Sequence, residues 1–123
     1  MLHAHSDDLE GELLAMIRGE VSIVAPRVRR TSILQALEAL LPATRIEQGC
    51  RRCSLFESVE RRGTFMLLEE WATTSDFQRH LRSDLYTQLL NLMELSPEPP
   101  DVRFLVVAES MGMDAIHDAR AER

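Results

Sequence analysis

The sequence contains no lysine; all fourteen of its basic residues are arginine. That absence excludes Schiff-base chemistry, covalent pyridoxal phosphate and the phosphate-binding lysine of a P-loop. Cysteine is nearly as scarce, and Cys50 and Cys53 are too few for a disulfide framework. Aromatic residues make up only 5 %, with Trp71 and Tyr86 the single members of their types, so ring chemistry rests on few side chains. Five Gly and five Pro leave little room for low-complexity or disordered stretches. No run approaches the roughly 20 apolar residues that span a bilayer. The first residues are acidic where a signal peptide carries positive charge, which reads as a cytoplasmic protein. A net charge of −6 disfavours a nucleic-acid or anionic-membrane footprint. What is present is ordinary globular material, 45 % apolar and 28 % charged over 123 residues, the size of one domain.

Residues 1–11 and 112–123 read as polar tails around an ordered domain over 12–111. His3, His5 and His117 fall in those tails, where they are read as solvated rather than as metal ligands. From Leu13 to Ala25, apolar Ile17, Val21 and Ile23 alternate with Arg18, Glu20 and Ser22, the period of a strand that Pro26 ends. Ser32-x-x-Gln35 has the form of a capping box and predicts a helix over about 31–46, which Pro42 should kink or split. Cys50–Val59 and Thr64–Thr73 predict two strands joined at Arg61-Arg62-Gly63 as an antiparallel hairpin. Ser75-x-x-Gln78 opens a short helix carrying Phe77 and Leu81. Ser83 or Asp84 caps another with Leu85, Leu89, Leu92 and Met93. After the proline-rich segment 96–100, Asp101–Glu109 predicts the last strand.

The order is β-α-β-β-α-β, the ferredoxin-like α+β arrangement with a four-stranded antiparallel sheet. Helices can cover only one face of that sheet. Phe65 and Leu67 point opposite to Met66 and Leu68, and Leu105 and Val107 opposite to Phe104 and Val106, so both faces are apolar. The expected cover for the second face is another copy of the chain, a homodimer packed sheet to sheet.

Among residues able to do chemistry, His80 sits at the border of a buried helix face, one residue before Leu81. An imidazole there suits a general base; the alternative is a helix-border histidine bonded to a neighbouring loop or to the partner subunit. Trp71 shares strand parity with Leu67 and Glu69, which places an aromatic wall beside a carboxylate. Tyr86 can donate a hydrogen bond from its hydroxyl or simply pack. Glu69 and Glu70 are adjacent and face opposite sides, so they form no paired-carboxylate site; the inward one is expected to pair with an arginine. Cys50-x-x-Cys53 leads into a strand rather than a helix, with its thiols on opposite faces, and is assigned to packing. Met16, Met66 and Met93 supply adaptable apolar lining. No residue spacing marks a metal site.

The series Arg45-Ile-Glu47-Gln-Gly49-Cys50, then Glu69-Glu70-Trp71, then Phe77-x-x-His80-x-x-Ser83 resembles the antibiotic biosynthesis monooxygenase domain from about Leu13 to Ser110. The resemblance implies a dimeric α+β barrel whose subunits each hold a pocket between helices and sheet. It implies oxidation of a phenolic or quinol-type aromatic substrate by dioxygen without metal, flavin or other cofactor, the substrate's own phenolate or carbanion supplying the electron. His80 and Trp71 are then the expected catalytic residues, and Leu67, Glu69, Phe77, Tyr86 and Met93 the substrate-binding ones. Two departures matter. Cofactor-free members carry Asn four residues before the strand Trp, where this chain has Leu67. Haem-degrading members bind iron through a His whose register falls near Leu90. A non-catalytic small-ligand-binding or stress-related protein of the same fold is therefore the alternative, with a haem protein behind it.

Overall fold

The computed structural model describes residues 15–122, so His3 and His5 lie outside it. Its elements are β1 (Met16–Val24), a short 3-10 turn (Arg27–Arg29), α1 (Arg30–Arg45), β2 (Cys50–Glu57), β3 (Thr64–Trp71), α2 (Thr74–Leu81), α3 (Asp84–Met93), β4 (Asp101–Val107) and α4 (Met113–Ala121). The strands form one antiparallel sheet in the order β2-β3-β1-β4, the ferredoxin-like topology the sequence pattern predicts. α4 lies within residues read as a C-terminal tail, and none of its side chains is buried.

Alternation places the core. Ile17, Val21 and Ile23 of β1 and Phe65, Leu67 and Trp71 of β3 face the helices, and each is at most 6 % exposed. Ile33, Leu37, Leu40 and Thr44 recur at helical spacing along α1 and meet that face together with Tyr86 and Leu89 of α3. Burying each large aliphatic side chain here contributes roughly 1.5–3 kcal/mol.

Helix starts differ from expectation at two serines. α1 begins before Ser32, whose hydroxyl instead donates to the Arg29 carbonyl at 3.0 Å. α2 is capped by Thr73, which accepts from the Asp76 amide at 3.0 Å, while its own hydroxyl donates to the Asp76 carboxylate at 2.9 Å. That reciprocal pair satisfies an exposed amide better than Ser75, already inside the helix, can do. Ser83 does cap α3, accepting from Tyr86. Pro42 does not split α1; Pro42 and Glu38 are both exposed, so the carbonyl left without a donor can meet water.

The far face of the sheet is mixed rather than apolar throughout. Phe56, Met66, Leu68 and Leu105 lie there among Arg18, Glu20, Arg52 and Glu70, with ion pairs Arg18–Glu20 and Arg52–Glu70 each at 3.7 Å. β4 is an edge strand that the helices do not reach across. Its helix-side residues Val102, Phe104 and Val106 remain 41 %, 44 % and 57 % exposed, with Phe104 packed edge-on to Phe77 at 4.9 Å.

Candidate active site around His80

α2 presents His80 inward, and three elements close around it. From the turn after α1 comes Glu47, whose Oε2 lies 2.5 Å from His80 Nδ1. From β3 comes Glu69, with Oε1 at 3.1 Å and Oε2 at 3.3 Å from Nε2. Trp71, two residues further along β3, stacks on the imidazole with ring centroids 4.4 Å apart and donates its indole N–H to Glu69 Oε1 at 2.9 Å. Tyr86 of α3 meets the same ring edge-on at 5.3 Å. His80 is 3 % exposed and Glu69 5 %, so this is a buried ionic network rather than a surface ion pair.

Glycine geometry delivers Glu47. The turn closes with Cys50 N–H donating to the Glu47 carbonyl at 3.1 Å, and Gly49 takes φ +85°, a left-handed conformation that favours glycine. Space requires glycine too, because a Cβ at Gly49 would lie 2.2 Å from the Asp76 carboxylate. Asp76 also pairs with Arg79 at 3.0 Å, so the cap of α2, the turn and the cation are one assembly.

Burial pulls the His80 pKa down, but the hydrogen bond and charge of Glu69, joined by those of Glu47, outweigh it and the net shift is upward. With both ring nitrogens facing carboxylates, the imidazolium is favoured and no free lone pair points into a cavity. Both nitrogens of His80 are thus engaged, and the carboxylates carry the accepting capacity. Burial, then the Glu69 charge, pushes the Tyr86 hydroxyl up to about 12.

Two hollows flank the network. The inner one, lined by Leu40, Thr44, Leu67, Glu69, His80 and Tyr86 among others, has no room for a water molecule. The outer one holds about 250 Å³ and is lined by Glu47, Gln48, Trp71, Asp76, Arg79, His80 and Ser83. Of the residues expected at a site, His80, Trp71 and Glu69 come together, Tyr86 touches His80, and Leu67 lines the closed hollow. Phe77 packs instead against Ile17 and Trp71, and Met93 sits half-buried at the edge of the main core. Glu69 pairs with His80 and Trp71, not with an arginine; the arginine partner falls to outward Glu70. Leu90 is 45 % exposed. Glu47, Gln48, Asp76, Arg79 and Ser83 were not expected at a site; the one signal for Asp76 and Arg79 is the Thr73-x-x-Asp76-x-x-Arg79 spacing, which puts cap, carboxylate and cation on one helix face.

A buried histidine held between two carboxylates, under the helices of a ferredoxin-like sheet, defines an α+β protein with one polar centre at the helix–sheet seam. The sequence profile of the antibiotic biosynthesis monooxygenase family matches residues 16–91, more than half of the chain, and the chain belongs to that family. Solved structures share the fold. A protein of Deinococcus radiodurans named as an antibiotic biosynthesis monooxygenase superimposes with a TM-score of 0.73 at 19 % identity, covering 79 % of this chain and 97 % of its own. Rv0793 of Mycobacterium tuberculosis gives 0.72 at 23 %, covering 80 % and 100 %. One from Nitrosomonas europaea, named like the first, gives 0.69 at 18 %, covering 80 % and 95 %. No curated protein matches the sequence significantly. Among the described residues no helix is long and apolar enough to cross a membrane.

Proposed function

We propose that the chain is a monooxygenase that oxidises a phenolic or quinol-type ring with dioxygen, without an added cofactor, in the outer cavity. The observation that carries this reading is the 250 Å³ hollow in which Glu47, backed by His80, and the Arg79 guanidinium meet. The substrate hydroxyl gives its proton to Glu47, whose side chain is 27 % exposed. The His80 cation holds that carboxylate in place, and Arg79 supports the phenolate oxygen as charge develops. The electron-rich ring then reduces dioxygen by one electron. Recombination at a ring carbon bearing hydrogen forms a C–O bond, and loss of that hydrogen with cleavage of the O–O bond releases water and leaves a quinone carbonyl. One oxygen atom enters product, one leaves as water, and the substrate supplies all electrons.

The active unit in this reading is a homodimer joined through the far face of the sheet. Phe56 and Leu105 are 42 % and 40 % exposed there, and the buried Nε of Arg18 has no hydrogen-bond partner in the protomer. Light scattering is expected to give twice the 14.0 kDa chain mass; a monomer at micromolar concentration contradicts it.

The closed inner hollow favours a second reading. With Leu67 on its wall and no space for water, it offers neither an amide donor nor a volume on the sheet side, as suits a non-catalytic protein of the same fold whose inner pocket is collapsed. Oxygen uptake separates the two. Protein stripped of metal and flavin, given a panel of quinols and anthrones, is expected to consume oxygen and to lose that activity on Glu47→Gln; no uptake across the panel favours the second reading.

A further inference from the structure

The extra residue of a β-bulge changes what the two cysteines can do. β2 pairs Cys50 with Trp71 and Cys53 with Glu69, with a register shift between Cys50 and Arg52. Arg51 is the inserted residue, so Cys50 and Cys53 fall on the same, helix-facing side of the strand, not on opposite sides as their spacing suggests. They stand opposite two residues of β3 that are two apart, a separation of about 6.6 Å along a strand. Side chains leaving one face in parallel at that spacing sit at the limit of what an S–S bond spans. Two metal–sulfur bonds of roughly 2.3 Å each reach across it more easily. The Cys50 thiol already leans along the strand, 3.6 Å from the Arg52 carbonyl, and both cysteines line a hollow of about 390 Å³ with Arg45, Arg51, Arg52 and Ser54.

We propose that Cys50 and Cys53 form a two-thiolate site for one soft, two-coordinate cation of the Cu(I) class. Thiolates select soft ions, and a pair of ligands suits a linear centre. Among the described residues no cluster of three or more His, Cys, Asp or Glu is assembled to hold a metal, so a tetrahedral ion such as Zn(II) is not served. Binding replaces two S–H protons with two sulfur–metal bonds and releases both protons, with no oxidant or reductant required. The resulting bis-thiolate centre is net negative, and Arg45, bonded to the Cys53 carbonyl at 3.0 Å, lies beside it.

The test is titration of the reduced full chain with Cu(I) against a chromogenic Cu(I) chelator, with Trp71 fluorescence as a second readout. Trp71 is the single tryptophan and faces Cys50 across the ladder. The expected result is one Cu(I) taken per chain with quenching of Trp71, both lost in Cys50→Ser and in Cys53→Ala, and both retained when His3, His5 and His117 are replaced together by Ala. Circular dichroism confirms that each variant is folded, and Cys50→Ser, at a half-exposed position, keeps the test available if Cys53→Ala unfolds. Uptake that survives loss of either cysteine, uptake that vanishes with the histidines, or preference for Zn(II) over Cu(I) overturns the proposal.

Discussion

Replacing Glu69 with glutamine should make stability depend on pH in a way that exposes the charge on His80. In the wild type, Glu69 accepts from Trp71 Nε1 at 2.9 Å and faces His80 Nε2 at 3.1 Å. Glutamine can keep the indole bond through its carbonyl, which also faces Nε2, but it carries no charge and sets an N–H group where Oε2 lay. Glu69→Gln therefore exchanges a charge-assisted bond for a weaker one to a neutral acceptor, a difference of about 1–1.5 kcal/mol. The raised pKa of His80 sets the window. The stability it contributes is complete below the unfolded value of about 6.5 and is lost as pH rises through the folded one. The deficit of Glu69→Gln is thus expected to be largest below about pH 6.5 and to shrink as pH rises above that. Urea unfolding followed by Trp71 fluorescence at fixed protein concentration measures it, with equal m-values required for comparison. NMR titration of His80 supplies the independent check. A deficit that does not change over that range, or a wild-type His80 that titrates below the ordinary histidine value, refutes the reasoning.

Gly49→Ala should lower stability by at least about 1–2 kcal/mol, because the new Cβ meets a left-handed φ and the Asp76 carboxylate at once; thermal unfolding reads it. Thr73→Ala removes both halves of the α2 cap and is expected to cost about 1–2 kcal/mol in the same assay. Arg79→Ala, at a side chain 52 % exposed, should leave melting nearly unchanged while lowering kcat/KM for the oxidised phenol about 10- to 100-fold, the loss of one charge-assisted bond. Unchanged turnover in that variant removes Arg79 from the mechanism.

The parts of this molecule that follow a local rule are legible in its sequence. The alternation of Ile17, Val21 and Ile23 marks β1 and its inner face, and Ser83 is where α3 starts. What escapes is what depends on a single inserted residue or on chain segments far apart. Nothing in Cys-Arg-Arg-Cys signals that Arg51 bulges out, yet that one residue turns two thiols onto one face. Glu47 sits in a turn with no periodicity to place it, and it reaches His80 across 33 residues because Gly49 bends the chain back over α2. The pairing of Glu69 with His80 rather than an arginine likewise depends on where α2 docks on β3. Strand parity puts Glu69 inward, but it does not say which helix residue arrives there.

This chain, free of metal and flavin, is expected to insert oxygen from dioxygen into a phenolic or quinol-type ring. Turnover of a reactive quinol or anthrone under ¹⁸O₂, with mass analysis of the product, tests it most directly. One labelled oxygen per product molecule is expected, formed by the wild type and not by Glu47→Gln. Product without label, or label incorporated equally by the Glu47→Gln variant, contradicts it.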